Sequence, residues 1–230
     1  MPFDLERVDV DGAIREQADA VSGDTRLSFL RKGALAGGAA LSGGAILSAL
    51  VPGTALAASK DRQRPPASFG SGDIGVLNYA LTLEFLEATF YAEAVKNKVY
   101  GSDAMLERFT KETASDEAKH VAFLTKALGS KAVKKPSFDF GKAVTDKDTF
   151  AATSYVLENT GVHAYHGQLT NIKATANLLY AAEIATVEGR HAGAIGLYLG
   201  KAVAPKSGFD SPLGAGQVLA AVKATHFIKS

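Results

Sequence analysis

The chain repeats one short motif, a Glu followed three residues later by a His, although it has only five histidines. Residues 116–120 read DEAKH and residues 187–191 read VEGRH. Residues three apart on a helix share a face, so each motif brings a carboxylate beside an imidazole. Random placement in the part of the chain after residue 57 gives about 0.26 such pairs, so two exceed chance. Carboxylate oxygen and imidazole nitrogen together suit Fe, Mn or Zn.

The two motifs belong to a longer internal repeat. Each is preceded by a Glu in an otherwise apolar segment: Glu84 lies 33 residues before the Glu of the first motif, and Glu158 lies 30 residues before that of the second. Each of these Glu residues is followed seven residues later by a Tyr, which is Tyr91 in one case and Tyr165 in the other. The chain is therefore interpreted as two copies of one helical hairpin.

The apolar residues recur with helical spacing almost throughout residues 73–200. The sequence predicts four long helices, which run from near Asp73 to before Gly101, from after Ser102 to Gly129, from near Thr149 to about Leu169, and from near Ala174 to Leu199. Asp73 is a suitable N-cap for the first. A short apolar helix is predicted around Gln217–Lys223.

The lengths of the connections predict the topology. Short turns join the first helix to the second and the third to the fourth, so each pair is expected to be antiparallel. A link of roughly 18 residues between the second and third helices is long enough to cross back along the bundle. The predicted fold class is all-α: a four-helix bundle with one long crossover and a short C-terminal helix.

The N-terminal segment has the order of an export signal. Residues 33–51 are uncharged and rich in Gly and Ala, basic residues precede them, and Ala-Leu-Ala follows at 55–57. This order predicts cleavage before Ala58. A retained membrane anchor is the alternative, because the run approaches the roughly 20 apolar residues that a span needs. Residues 25–31 resemble the twin-arginine export box, but Leu27 stands where its second Arg is expected, so the export route is open.

These features divide the chain into four segments. They are an N-terminal extension with the signal (1–57), a polar lead-in (58–72), the bundle (73–200) and a tail with a short helix (201–230). Cleavage would deliver the protein to the periplasm, the cell envelope or the medium. About 170 residues remain after cleavage, which suits one main domain.

Charge and cysteine content exclude several functions. Residues 58–230 keep 20 of the 25 basic and 17 of the 24 acidic residues, a net charge of +3. So balanced a charge lacks the basic footprint of nucleic-acid-binding proteins. The chain has no cysteine, which excludes thiolate metal sites, disulfides and a lipid-modified Cys.

One Glu from each of two helices, with Glu-x-x-His from each of the other two, resembles the di-iron carboxylate signature of the ferritin-like superfamily. With its signal and short C-terminal helix, the chain is most similar to exported ferritin-like domain proteins related to plant desiccation-associated proteins. The resemblance implies a site for two Fe ions, with Mn or Zn as alternatives. It also implies oxidation of Fe(II) by oxygen or peroxide, in protection against oxidative or desiccation stress.

The resemblance assigns roles to matching residues. Glu84 and Glu158 would be the outer carboxylates, either terminal or chelating ligands. Glu117 and Glu188 would bridge the two metals. His120 and His191 would each cap one metal. Glu87 is an alternative to Glu84. Tyr91 and Tyr165 either hydrogen-bond to ligands, carry an electron as catalytic residues, or are core tyrosines. Crowding of buried carboxylates predicts at least one raised pKa, and a Glu117→Gln variant that is more stable without metal.

Two further functions are compatible with the same residues. One is a manganese catalase-like enzyme, and the other is a stress-related structural or binding protein with a vestigial metal site. The expected partners are metal ions with oxygen or peroxide, and a second copy of the chain is a candidate partner in a homodimer. No nucleic acid is expected, and membrane contact is expected only through an uncleaved signal.

Overall fold

The computed structural model describes residues 63–229, and the predicted signal and its cleavage site lie outside this range. In the described range, four long α-helices form a bundle and a fifth short helix follows: α1 (Gly72–Asn97), α2 (Ala104–Leu128), α3 (Lys147–Gln168), α4 (Thr175–Tyr198) and α5 (Ala215–Ala224). Each helix lies within a few residues of the segment that the sequence predicted. The all-α fold class is therefore confirmed.

Contacts at the helix ends show the direction of each helix. The side chain of Asn97, at the end of α1, donates a hydrogen bond to the carbonyl of Val144, just before α3 (3.0 Å). Asp73, at the start of α1, contacts the start of α4. The helices α1 and α4 therefore run in one direction and α2 and α3 in the other, and the link between α2 and α3 crosses the length of the bundle.

The start of α1 differs from the prediction. The N-cap residue is Ser71, whose side chain makes no capping bond, rather than Asp73. The Asp73 carboxylate instead accepts hydrogen bonds from the backbone N–H groups of Lys173 and Ala174 (2.9 Å each). Ala174 is the N-cap of α4 and has no side-chain acceptor of its own. Asp73 therefore accepts, from a neighbouring helix, the N–H of the N-cap residue of α4, which is one of the backbone groups that find no partner within a helix.

A buried cluster rich in aromatic residues packs the crossover link and α5 against the bundle. The ring of Phe90 on α1 stacks on that of Phe150 (5.3 Å between centroids) and meets Phe140 of the link edge-to-face (5.4 Å). Val218 and Val222 of α5 pack into the same buried cluster. Aromatic pairs in these geometries stabilise beyond the area they bury, so the link and α5 are parts of the folded unit.

A short ribbon is an addition that the sequence analysis did not predict. Strand β1 (Ser137–Phe138) pairs antiparallel with β2 (Ile228–Lys229), and Phe138 lies opposite Ile228. The ribbon connects the crossover link to the C-terminal tail. Strands of two residues are too short to produce the apolar alternation by which strands are recognised, so no sequence pattern indicates this ribbon.

Candidate metal centre

Six buried side chains from α1–α4 meet inside the bundle. They form two groups whose ligand atoms lie within 4.8 Å of one another: Glu84, Glu117, His120 and Glu188 in position 1, and Glu117, Glu158, Glu188 and His191 in position 2. Glu117 and Glu188 belong to both positions. The structure thus brings together all six residues that the sequence singled out, and the two carboxylates assigned as bridges are the shared ones. Their binding of metal stays a prediction.

The burial of these carboxylates is extreme. Glu84, Glu117, Glu158 and Glu188 are each 0% exposed, and the two imidazoles are less than a tenth exposed. A buried carboxylate is costly unless it is paired or coordinates a metal. When all four carboxylates are ionised, two imidazoles do not balance them, so the ionised cluster is suited to additional positive charge.

Glu117 lies between the two imidazoles. Its Oε2 is 3.3 Å from Nδ1 of His120, and its Oε1 is 3.2 Å from Nδ1 of His191. The outer carboxylates are arranged around the same nitrogens: Glu84 Oε2 is 3.2 Å from His120 Nδ1, and Glu158 Oε2 is 3.2 Å from His191 Nδ1. Both imidazoles thus direct Nδ1 into the cluster, and the two oxygens of Glu117 face different positions, as a bridging ligand requires.

Several atoms of the cluster have no hydrogen-bond partner among residues 63–229. They are both carboxylate oxygens of Glu188, Oε1 of Glu117, Oε2 of Glu158 and Nδ1 of His191. Of the last three, the nitrogen lies at ion-pair distance from both oxygens (3.2 Å each), but without the geometry of a hydrogen bond. A buried polar atom left unpaired costs about 1–3 kcal/mol, and native proteins pair nearly all of them. Here the unpaired atoms converge. Each position offers three carboxylates and one imidazole, so these residues fit two divalent cations.

The two tyrosines hold the outer carboxylates. Tyr91 of α1 donates a hydrogen bond to Oε1 of Glu158 on α3, and Tyr165 of α3 donates one to Oε1 of Glu84 on α1. Burial, followed by the charge of the bonded carboxylate, raises the pKa of both hydroxyls well above 10, so both stay protonated donors. Each outer carboxylate has Oε2 left for the cluster, which favours a terminal over a chelating ligand. An electron-carrying role for the tyrosines stays a prediction.

The carboxylates differ in protonation. Burial raises the pKa of Glu84 to about 8, and the charge of Glu117 adds to the rise. Burial also raises the pKa of Glu158, and it raises that of Glu188 well above its usual value. Burial acts in the same direction on Glu117, but its contacts with the two imidazoles outweigh burial and lower the pKa to about 2. Burial, with a smaller effect of neighbouring carboxylates, thus raises several pKa values, as expected, but not that of Glu117.

Both imidazoles are charged in the metal-free protein. Burial alone would lower the pKa of His120, but hydrogen bonds with three cluster carboxylates raise it to about 12. Burial is likewise outweighed at His191, where two carboxylates raise the pKa to about 11. A metal-ligating imidazole must be neutral, so a cation that enters must displace these protons.

Three further residues lie beside the cluster, of which Glu87 was an alternative ligand in the sequence analysis, and Gly161 and Asp116 had no assigned role. Glu87 is buried but belongs to neither position, whereas Glu84 lies in position 1. A Cβ at Gly161 on α3 would lie 2.6 Å from Oε2 of Glu188, so the glycine makes room for that carboxylate. Asp116 Oδ2 lies 3.5 Å from Nε2 of His191. A glycine inside a helical pattern was the available signal for Gly161.

A family model described as a ferritin-like domain matches residues 72–201. The match covers more than half of the chain, and the chain therefore belongs to the ferritin-like family. No curated protein matches it. The matched segment contains α1–α4 and every residue of positions 1 and 2. The fold and the buried Glu/His cluster are together compatible with a di-metal site.

Proposed function

We propose that this is an exported di-iron carboxylate protein, which binds two Fe(II) ions and oxidises them with oxygen or peroxide. The observation that carries the proposal is the convergence of four buried carboxylates and two buried imidazoles in two positions that share Glu117 and Glu188. Four carboxylates and two neutral imidazoles carry four negative charges, which two divalent cations neutralise. One imidazole and several carboxylates per ion is also the donor set of di-iron carboxylate bundles.

The proposed chemistry balances with two electrons. Oxidation of two Fe(II) ions to Fe(III) supplies two electrons. With two protons, these electrons reduce one O₂ to H₂O₂, or one H₂O₂ to two waters. The protein's own residues hold and shield this chemistry. Tyr91 and Tyr165 fix the outer carboxylates, and the apolar clusters around the site exclude bulk water. Water exclusion strengthens the interactions that hold the ions.

An anaerobic Fe(II) titration followed by addition of oxidant tests the proposal. We expect two Fe(II) per chain, and consumption of one O₂ or one H₂O₂ for every two Fe(II) oxidised. Glu188→Gln should weaken binding, whereas Glu183→Gln, a substitution of an exposed residue on the same helix, should leave binding intact. Peroxide disproportionation by a manganese-loaded protein would favour the catalase-like function. A protein that binds no metal would leave only the structural or binding function.

Export is proposed from the sequence order of residues 33–57. In the described residues, no helix has both the length and the apolar character needed to cross a membrane. N-terminal sequencing of the protein from the cell envelope or medium is expected to begin at or near Ala58. A product that retains residues 33–51 would contradict cleavage and support the anchor.

A homodimer is proposed as well, and light scattering of the same preparation measures the mass that tests it.

The proposed biological role is protection during oxidative or desiccation stress. Oxidation of Fe(II) at the expense of peroxide removes both reactants that generate hydroxyl radicals. Cells that lack the protein should lose viability on drying or peroxide exposure, and the wild-type gene should restore it. A gene for the Glu188→Gln variant should fail to restore viability. Restoration by that variant would separate the stress role from the metal site.

A further inference from the structure

The internal repeat is broken beside one imidazole. Asp116 precedes Glu117 in the first motif, whereas Val187 precedes Glu188 in the second. Asp116 on α2 places Oδ2 3.5 Å from Nε2 of His191 on α4. The corresponding residue in the other half is apolar. In the described part of the chain, His120 makes its ion-pair contacts through Nδ1, so its Nε2 has no carboxylate partner there.

A carboxylate on the far nitrogen changes what an imidazole does as a ligand. It fixes the ring orientation and the tautomer, and it makes the ligating nitrogen more basic. Loss of such a partner typically lowers metal affinity 10–100-fold. His191 has this arrangement, with Nδ1 toward the cluster and Nε2 toward Asp116. His120 also directs Nδ1 toward the cluster, but among the described residues it has no carboxylate on Nε2.

The repeat is broken a second time on the first helix of each hairpin. Glu87 follows Glu84 by three residues, and the equivalent residue after Glu158 is Gly161. A Cβ at Gly161 would meet Oε2 of Glu188 at 2.6 Å and Oε1 of Glu87 at 3.5 Å. Glu87 therefore lies beside Glu188, which both positions share, and does not distinguish the two positions. The departure from symmetry that distinguishes position 2 is the contact of Asp116 with His191.

We infer that the two metal positions are unequal, and that position 2, on Glu158 and His191, binds its cation more tightly and fills first. This inference rests on the proposed di-metal function. Asp116 is a positioning residue in it, because it acts on the cation only through His191. Position 1 is the weaker site, where an ion is taken up second and released first.

Calorimetric titration and equilibrium dialysis of the full chain with Co(II) test the inference. The wild type should show two binding steps that differ about tenfold or more. Asp116→Asn should weaken the tighter step 10–100-fold and leave the other unchanged. Glu112→Gln is the matched control, since Glu112 is an exposed carboxylate on the same helix that pairs with Arg108 (2.9 Å). Exposed pairs contribute little, so the control should leave both steps unchanged.

Two more variants assign the steps to positions. His191→Ala should abolish the tighter step and keep the weaker, and His120→Ala should do the reverse. Val187→Asp, which gives the second motif its missing carboxylate, should tighten the weaker step. Circular dichroism melting of each variant shows that the bundle is intact. Equal steps in the wild type, or an Asp116→Asn effect on both steps or neither, would overturn the inference while two bound ions still support the di-metal function. Absence of Co(II) binding by the wild type would refute both.

Discussion

The hydroxyl of Tyr91 donates a hydrogen bond to Glu158 across the repeat, and Tyr165 makes the reciprocal bond to Glu84. Each tyrosine lies on the first helix of one hairpin and holds the outer carboxylate of the other. The two hairpins are therefore joined by hydrogen bonds to the candidate ligands themselves.

Tyr91→Phe is expected to destabilise the metal-free protein by about 1–3 kcal/mol, because Oε1 of Glu158 is then buried without a partner. Tyr165→Phe should have a similar effect through Glu84. Urea unfolding of the metal-free proteins measures both. Tyr180→Phe is the control, because Tyr180 is 44% exposed and distant in sequence from both bonds. Equal stability of all four proteins would show that the reciprocal bonds contribute nothing.

The two carboxylates that positions 1 and 2 share are expected to respond with opposite signs when metal is absent. The folded pKa of Glu188 is raised, so its ionisation costs stability as pH rises above its usual value of 4.5. Glu188→Gln removes that cost and should raise the Tm of the metal-free protein. The folded pKa of Glu117 is lowered to about 2, so its stabilising effect is present at neutral pH and lost only as pH falls toward 2. Glu117→Gln should therefore lower the Tm.

This expectation reverses the sign predicted for Glu117 from crowding alone, because Glu117 lies between two charged imidazoles. A change of about 1 kcal/mol moves the Tm of a domain of this size by roughly 2–4 °C, which scanning calorimetry resolves. Both variants should also bind metal more weakly. Shifts of the same sign in the two metal-free variants would contradict the assigned protonation.

Metal affinity should rise with pH. In the metal-free protein the pKa values of His120 and His191 are raised to about 12 and 11, and that of Glu84 to about 8. Protons therefore occupy these groups between pH 6 and 8, and a cation must displace them. Affinity should increase about tenfold per pH unit for each proton released. Calorimetry in buffers of different ionisation enthalpy measures that release, and a pH-independent affinity would rule it out.

Gly161 and Gly189 are predicted to differ when replaced by alanine. A Cβ at Gly161 would crowd Oε2 of Glu188 at 2.6 Å, so Gly161→Ala should displace that carboxylate and weaken metal binding. Gly189 has open space around it, and Gly189→Ala should stabilise α4 by about 0.4–1 kcal/mol with unchanged binding. Metal titration and thermal melting of both variants separate these effects. Unaltered binding in Gly161→Ala would show that Glu188 has room elsewhere.

The parts of the fold and site that follow local rules were predictable from the sequence. Helical spacing located α1–α5 to within a few residues, and loop lengths gave the crossover. The three-residue spacing of Glu117 to His120 and of Glu188 to His191 placed each pair on one face. Duplication of that pattern then indicated that the pairs converge, because two similar hairpins bury equivalent faces against each other.

Features that depend on contacts between distant segments were not predictable. Asp73 accepts the N–H of the N-cap residue of α4 rather than capping its own helix, which no local pattern reveals. The clearance at Gly161 depends on where a side chain of α4 ends, and the low pKa of Glu117 depends on imidazoles from two helices. The contact of Asp116 with His191 joins α2 to α4. Each is a property of packing geometry rather than of spacing along the chain.

Elemental analysis of the purified protein, with wild type and the His120→Ala/His191→Ala double variant compared side by side, tests the central claim most directly. We expect two iron ions per wild-type chain, loss of both in the double variant, and similar helicity by circular dichroism, since packing builds the bundle independently of the ligands. A wild-type protein without metal after Fe(II) loading, or the same metal content in both proteins, would contradict the assignment of positions 1 and 2 as a di-metal site.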